Sequence, residues 1–389
     1  MNNKVETDMK RPKNYLWLEG IFDEDTIKSF VSTSPAVSFW QRGFVDALNN
    51  IGSRVDVIGY PAERVWPFGR LSIRSEQASL SPGLKGKTVG YINTLFLRDK
   101  TQYMNFLKVA KHYFKASENR PDYAITFSCL DKPTDETPSM RVAKYIREKY
   151  AVPWICIVGD GAAPPGADGY VYQNWTYYHS GKAPGPSVHI DGGIPRIKPG
   201  KEPTSGFNPH PREKALMYMG ALTQHGGCTP LARAFHALPD EDIRLWICGR
   251  GENTELERLA EIDKRIIIKG FVSELELNKL ARSAFAFANP RPNSFVPNKL
   301  NYPSKILHYL AYGKPIISTF TDGIDPAYSD VLIPILEDTE NGLSVAIQNS
   351  LKMTEEEYIA MCAHITNFNE THTWEYQIDR FSSWLSKLK

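Results

Sequence analysis

The hydrophobic and polar positions in the first half of the chain alternate between two periods. Short apolar runs are typical of buried strands, and apolar residues spaced three or four positions apart are typical of helices. The predicted strands lie at 13–22, 54–61, 123–129, 152–160 and 167–174, and the predicted helices at 38–52 and 139–150. Strands that alternate with helices predict a parallel sheet covered on both faces.

A stretch rich in proline, glycine and polar residues, 192–212, interrupts this pattern and is typical of a linker between domains. Beyond it the alternation restarts. The predicted strands lie at 214–222, 243–249, 265–272, 284–290 and 314–320, and the predicted helices at 227–238, 253–263, 274–283 and 303–313. We therefore predict two doubly wound α/β domains, over 1–200 and 213–372, that face a cleft. The last segment, 373–389, has the pattern of an amphipathic helix that needs a surface to cover.

Size and composition fit this division. The 389 residues are 42% hydrophobic and 23% charged, which is typical of a globular protein with more than one core. A formal net charge of +2 gives no electrostatic reason to bind nucleic acid. Five scattered cysteines without a C-x-x-C pair favour a reducing cytoplasm. The polar N-terminus lacks the apolar core of a signal peptide, and we expect no membrane span.

The segment YMGALTQHGG (218–227) carries the strongest local signal for ligand binding. An apolar strand ends at Gly220, and Gly226 and Gly227 open a helix. Because these glycines have no Cβ, a diphosphate could approach the backbone N–H groups and the positive end of the helix dipole. The competing interpretation is an ordinary strand–loop–helix turn.

Two basic residues follow other predicted strands on the same edge of the sheet. Arg250 lies in ICGRGEN (247–253), and Lys305 follows Pro303 and Ser304 at the start of a predicted helix. An arginine there could hold a phosphate by a charge-assisted contact, although a loop arginine is more often a solvated charge. A helix N-terminus favours anions beside Lys305.

Taken together, these segments resemble the donor half of family-four glycosyltransferases. The motifs are GxL-loop-G, ICGRGE, KGFV and NPRP…YPSKILHYLAYGKPIIS, and they are similar to a bacterial subgroup with NPRP and FPSK-x-x-EYLA-x-GKPV signatures. The similarity covers about residues 214–320 well and the first half in outline. It implies a GT-B fold of two Rossmann-like domains, with an acceptor domain over 1–200 and a nucleotide-sugar domain over 213–372. It also implies that the helix over 373–389 crosses back to the first domain.

The resemblance also implies roles for individual residues. Gly220, Gly226 and Gly227 would cradle the donor diphosphate, and Lys305 and Arg250 would neutralise it. The other implied contacts are Gly270, Phe271 and Val272 at the base, Arg291 near the sugar, and Ser304 and His308 at the donor.

The chain departs from the family pattern at several of these positions. Ala221 and Gly226 stand where the family commonly has an arginine and a lysine, and Leu300 and His308 stand where it has two glutamates. We expect a retaining transferase, but the missing glutamates leave two alternatives open. An inverting enzyme would need a base, for which Asp160 at the end of a predicted strand is the best candidate. A catalytically silent sugar-nucleotide-binding partner subunit is the other alternative.

We predict no cofactor and no catalytic metal, with a UDP-sugar favoured over a GDP-sugar as co-substrate. The two D-x-D triplets, Asp23–Asp25 and Asp240–Asp242, lie in polar turn contexts.

The predicted acceptor is a glycan, a lipid-linked molecule or a small molecule. Lysines in the predicted helix over 101–117 could touch an anionic membrane, which would place the protein at the inner face of the membrane. Packing of this helix on the first sheet, with its lysines in water, is the simpler interpretation.

Overall fold

The computed structural model describes residues 12–30, 32–116, 120–197 and 214–388. It divides into two compact units. Unit 1 combines Met1–Gly193 with Trp374–Lys389, and unit 2 is Ile194–Thr373. Each unit is built on a parallel sheet with helices, which confirms the predicted α/β fold class.

Unit 1 contains a seven-stranded sheet among its described residues, in the order β4-β2-β1-β6-β7-β8-β9. All neighbours in this sheet are parallel, and β3 and β5 form a separate antiparallel pair. The strands are β1 (Asn14–Trp17), β2 (Arg54–Gly59), β3 (Ser72–Ile73), β4 (Lys85–Thr88), β5 (Tyr91–Ile92), β6 (Tyr123–Ser128), β7 (Trp154–Val158), β8 (Gly169–Tyr172) and β9 (Ser187–His189). The strand order reverses between β1 and β6, and ligands bind doubly wound sheets beyond the carboxyl ends of strands at such a point.

Helices cover both faces of this sheet. They span Glu24–Ser29, Pro35–Asn50, Arg98–Ala116, Pro138–Tyr150, Trp175–His179 and Trp374–Leu385. Local sequence signals explain where two of them begin, because Ser34 and Thr137 cap the helices that start at Pro35 and Pro138.

The C-terminal helix packs into the core of unit 1. Its apolar face buries Trp374, Ile378, Phe381 and Leu385. The ring centroids of Phe381 and Phe44 lie 5.0 Å apart, and the rings meet edge to face. The helix Trp374–Leu385 thus packs on the helix Pro35–Asn50. The surface that the amphipathic tail covers is therefore formed by residues of unit 1.

Unit 2 contains a six-stranded parallel sheet among its described residues, in the order β12-β11-β10-β13-β14-β15. The strands are β10 (Lys214–Met219), β11 (Ile243–Cys248), β12 (Ile266–Gly270), β13 (Ala286–Asn289), β14 (Ile316–Ser318) and β15 (Ile333–Pro334). Numbered within the unit, this is the 3-2-1-4-5-6 order of a dinucleotide-binding sheet. The order reverses between β10 and β13, where Leu216 pairs with Ala286.

The helices of unit 2 follow the strands. They span Cys228–His236, Thr254–Ile262, Glu274–Ser283, Val296–Lys299, Lys305–Leu310, Glu340–Leu351 and Glu355–Glu370. No helix in the described part of the chain has both the length and the apolar character needed to cross a membrane.

Candidate functional site

The loops that follow β10 and β13 meet at the reversal point of the unit 2 sheet. Gly227 ends the first loop with a φ of +73° and precedes the helix Cys228–His236. A Cβ on Gly227 would lie 1.8 Å from the backbone oxygen of Pro290, in the second loop. Both the conformation and the close approach therefore require glycine.

Asn298 clamps the two loops together. Its side chain is fully buried, and its Nδ2 donates to the backbone oxygens of His225 at 3.1 Å and Pro292 at 3.0 Å. The long loop 290–304 is thereby held against the loop 220–227, which fixes the side chains that it carries.

Lys305 places its ammonium beneath the first loop. The Nζ atom lies 4.4 Å from the centroid of the Tyr218 ring and 2.7 Å from the position that a Cβ on Gly220 would occupy. Gly220 has a φ of +157°, and its missing side chain leaves room for the ammonium. The ammonium makes a cation–π contact with the Tyr218 ring. Among the described residues, Nζ has no hydrogen-bond or ion-pair partner.

The electrostatic environment of Lys305 is unfavourable for its charge. Burial and, to a smaller extent, the guanidinium of Arg291 lower the pKa of Lys305 to about 7, while the thiol of Cys228 acts in the opposite direction. A partly buried cation beside a second cation is costly unless an anion joins them.

Arg291 belongs to the same cluster. Its Nη1 lies 3.0 Å from Nε2 of His225 and also donates to the side-chain oxygen of Asn301. Burial lowers the pKa of His225 to about 4, and Arg291 and Lys305 contribute to the shift. We call Lys305, Arg291 and His225 the basic cluster.

Two tyrosines hold the backbone around the basic cluster. The hydroxyl of Tyr218 donates to the backbone oxygen of Ala221 at 2.7 Å. The hydroxyl of Tyr309 accepts from the backbone N–H of Met219 at 3.0 Å and lies 3.1 Å from the oxygen of Ala288. The helix Lys305–Leu310 is therefore tied to the ends of β10 and β13.

Arg250 follows β11 beside the loop 220–227, where its backbone oxygen accepts from the N–H of Leu222 at 2.8 Å. Its guanidinium carbon is 3.8 Å from the centroid of the Phe271 ring, and the Phe271 side chain is 60% exposed. No contact described for Arg250 reaches Lys305 or Arg291. Gly270 has a φ of +67° and accepts from Gly249 N–H at 2.9 Å, and Val272 is partly buried against the hydrophobic core of unit 2. The structure thus brings Arg250 together with the segment 270–272.

Ser304 and His308 lie one turn apart at the helix Lys305–Leu310. The backbone N–H of Ser304 donates to the oxygen of Tyr302 at 3.0 Å. Burial lowers the pKa of His308 to about 4, so this imidazole is neutral at neutral pH.

Unit 1 has a polar group at its own reversal point, beyond the end of β1. Ser139 Oγ donates to Oε1 of Glu19 at 2.6 Å. Burial raises the pKa of Glu19 to about 7, against the lowering effects of the hydrogen bonds from Ser139 and from the backbone of Phe127. This carboxyl group was not among the residues predicted from the sequence, although a lone glutamate inside the apolar run 13–22 is a signal.

Asp160 follows β7 in the same sheet. Asn174 Nδ2 donates to its Oδ1 at 2.9 Å, and Asn174 also caps the helix Trp175–His179 by accepting from the N–H of Tyr177. Asp160 therefore contacts the residue that caps this helix. Such a contact is a structural role that Asp160 can have instead of a catalytic one.

The first D-x-D triplet lies at the start of the helix Glu24–Ser29, and the second lies in a turn before β11. Asp23 caps the helix Glu24–Ser29 by accepting from the N–H of Thr26 at 2.8 Å. The Oδ1 of Asp240 accepts from the N–H of Asp242 at 2.9 Å. Both first aspartates thus serve local backbone structure.

Comparisons with known proteins agree with this architecture. Residues 213–357 match the family model described as glycosyl transferases group 1. No curated protein matches the chain by sequence. The group 1 match identifies a transferase enzyme in the part of the chain that carries the basic cluster.

Several solved structures share the fold across both units. Sucrose-phosphate synthase from Thermosynechococcus elongatus is 14% identical, with a TM-score of 0.65 and coverage of 97% of this chain and 99% of that chain. HepE from Anabaena, in complex with UDP and glucose, is 12% identical, with a TM-score of 0.62 and coverage of 96% and 99%. The trehalose 6-phosphate synthase from Burkholderia multivorans is 11% identical, with a TM-score of 0.60 and coverage of 96% and 98%. These similarities show the GT-B fold, as predicted.

Proposed function

We propose that this GT-B glycosyltransferase transfers a sugar from a nucleoside diphosphate sugar, without a metal, and binds the donor diphosphate at the basic cluster. The observation that carries the proposal is the position of Lys305. Its ammonium lies beside Arg291 and, among the described residues, makes no ion pair. An anion with more than one negative charge would neutralise both cations.

The surroundings of the basic cluster favour a diphosphate in particular. The helix Cys228–His236 begins directly after Gly227, and its first-turn amides add positive potential. A diphosphate spans two phosphoryl groups, so it can contact the helix end and the two side chains at once. Lys305 and Arg291 would then hold the diphosphate without the arginine and lysine that the family commonly has at the positions of Ala221 and Gly226.

The same groups suit the chemistry of transfer. When the bond between the sugar and the diphosphate breaks, negative charge develops on the leaving phosphate. Positioned cations and backbone amides stabilise such charge without a metal. We propose a retaining reaction, in which the leaving phosphate accepts the proton of the acceptor hydroxyl.

We propose that the donor nucleotide is UDP rather than GDP. The structure with UDP and glucose, which shares the fold, supports a uridine nucleotide. Backbone groups at Gly270 and the Phe271 ring under Arg250 would form the wall beside the base. Ser304 and His308 would contact the donor from the helix Lys305–Leu310.

The proposed acceptor is a glycan, a lipid-linked molecule or a small molecule. A lipid-linked acceptor would bring the protein, which we propose to be cytoplasmic, to the inner face of the membrane. Glu19 favours a second candidate, an inverting transferase, because a carboxyl group with a pKa near 7 is suited to general-base catalysis. In that case the Glu19 carboxylate, rather than Asp160, would accept the proton.

Donor hydrolysis and product analysis test these proposals. The protein is incubated in EDTA with UDP-glucose, UDP-galactose or GDP-mannose, and released nucleotide is measured with and without sugar acceptors. We expect UDP release that Lys305→Met abolishes and that manganese does not increase. NMR of the product's anomeric configuration separates retention from inversion. UDP binding without release of UDP from any donor would support the silent partner subunit instead.

A further inference from the structure

Two neighbouring loops of unit 1 expose large apolar side chains. Phe68 is 84% exposed and Phe96 is 87% exposed. They are flanked by Trp66 and Leu71 in the first loop and by Leu95 and Leu97 in the second, all of them exposed. We call residues 64–71 and 92–97 the apolar loops. Clusters of exposed apolar side chains mark interaction surfaces.

The apolar loops are held together by a buried side chain. Asn93 is fully buried, and its Nδ2 donates to the backbone oxygens of Arg64 at 2.6 Å and Arg70 at 2.8 Å. The backbone N–H of Trp66 donates to the oxygen of Asn93 at 3.0 Å. The two loops therefore form one continuous surface of fixed shape.

A groove with a volume of about 690 Å³ adjoins the apolar loops. Ser72 and Ile92 line it and lie next to the loops in the chain, where they pair across β3 and β5. The groove also contains Lys87, Lys108 and His112, all exposed. It therefore places positive charge beside the apolar side chains.

The charge of this region differs from that of the whole chain. Residues 61–116 contain ten Lys and Arg but three Asp and Glu, whereas the formal net charge of the chain is +2. Glu63 and Asp99 are in ion pairs with Arg70 at 2.6 Å and with Arg141 at 2.7 Å. Residues 61–116, which include the apolar loops and the groove, therefore carry a net positive charge.

We propose that the apolar loops and the adjoining groove form a docking surface for an anionic lipid bilayer. Aromatic and aliphatic side chains enter the interface between headgroups and acyl chains, while the lysines contact anionic headgroups. A second copy of the chain fits less well, because a symmetric interface would bring two positive surfaces together. The inference goes beyond the donor proposal and does not depend on it.

Sedimentation with vesicles tests the proposal. The full chain is mixed with vesicles of phosphatidylcholine, with or without phosphatidylglycerol, at low and high salt. We expect binding only to the vesicles with phosphatidylglycerol, weakened by salt. For Phe68→Ser/Phe96→Ser we expect the partition coefficient to fall by about tenfold, because two inserted aromatic rings are lost.

Matched variants provide the controls. Leu275→Ser/Leu336→Ser removes apolar side chains that are 83% and 85% exposed in unit 2, and we expect it to bind vesicles like the wild type. Lys87→Gln/Lys108→Gln should weaken binding, whereas Lys279→Gln/Lys352→Gln should not. Thermal unfolding confirms that each variant is folded.

Three results would overturn the proposal. The first is equal binding of the wild type to both kinds of vesicle. The second is equal binding of Phe68→Ser/Phe96→Ser and its unit 2 control. The third is self-association, measured by light scattering, that Phe68→Ser/Phe96→Ser removes while no vesicle binds; this would assign the surface to a second copy.

Discussion

The Nη1 atom of Arg291 lies 3.0 Å from Nε2 of His225. Because a guanidinium has only donors, Nε2 must be the acceptor, and the imidazole is then neutral with its proton on Nδ1. The lowered pKa of His225, about 4, agrees with this state. His225 thus orients Arg291 without adding a third positive charge to the basic cluster.

Replacing His225 tests its role as an acceptor. For His225→Leu we expect UDP affinity to fall about fivefold, which corresponds to about 1 kcal/mol, because Arg291 loses a hydrogen bond that orients it. His225→Gln keeps an acceptor and should stay close to the wild type. Titration calorimetry measures both, and equal affinity of the two variants would contradict this role.

The pKa of Lys305 predicts how donor binding depends on pH. A lysine with a pKa of about 7 loses its charge as the pH rises above 7, so its attraction for a diphosphate weakens. We expect the affinity for UDP-glucose to fall between pH 7 and pH 9, by up to about tenfold per pH unit. UDP-glucose is the appropriate probe because its phosphates do not titrate in this range.

Lys305→Arg provides the matched control for this measurement. A guanidinium remains charged throughout the range, so the affinity of this variant should not change with pH. A wild-type affinity that is also constant from pH 7 to pH 9 would remove Lys305 from the donor contacts.

Lys305 should also lower the stability of the unliganded protein. Its folded pKa is below the ordinary lysine value, so between about pH 7 and pH 10.5 the unfolded state binds more protons and stability rises with pH. Lys305→Met removes the buried charge. We expect the free energy of unfolding to increase by at least about 1 kcal/mol at pH 6, and by less at pH 9. Chemical denaturation measures this, with Lys279→Met as the exposed control, and a loss of stability at pH 6 would contradict it.

The fold class could be predicted from the sequence because buried parallel strands leave continuous apolar runs between helices. Two helices of unit 2, Glu340–Leu351 and Glu355–Glu370, were not predicted. Thr354 and Glu357 form a capping box that marks the start of the second. Its apolar residues do not form a single stripe, so the periodicity is weak.

The site could be predicted only in part. Gly227, Arg291 and Lys305 were singled out from motifs, and the structure brings their loops together. The contact of Arg291 with His225 joins residues 66 positions apart, which no local pattern encodes. The sequence also grouped Arg250 with Lys305. In the structure the Arg250 side chain lies over Phe271, and its backbone oxygen accepts from the N–H of Leu222 in the loop 220–227.

Gly227 offers a test of the close approach between the two loops. Gly227→Ala would force a Cβ to within 1.8 Å of the oxygen of Pro290, so the loops must separate. Gly181 has a similar φ of +68° but no heavy atom within 4 Å of such a Cβ. We expect Gly227→Ala to cost at least about 2 kcal/mol more than Gly181→Ala in the free energy of unfolding. Equal costs would show that backbone conformation alone requires the glycine.

Glu19 should make stability depend on pH in unit 1. Its folded pKa of about 7 lies above the ordinary value of 4.5, so stability falls as the pH rises from about 4.5 to 7. Glu19→Gln keeps the acceptor for Ser139 and cannot ionise. We expect Glu19→Gln to be more stable than the wild type at pH 8 and similar to it at pH 4.5, as measured by thermal unfolding. A variant that is less stable at pH 8 would contradict the raised pKa.

A crystal structure with UDP, grown in EDTA, would show directly where the diphosphate binds. We expect the diphosphate to lie within about 3 Å of the side-chain nitrogens of Lys305 and Arg291, at the start of the helix Cys228–His236, with no metal bound. Density for UDP elsewhere, or a diphosphate held through a metal ion with Lys305 turned away, would contradict it.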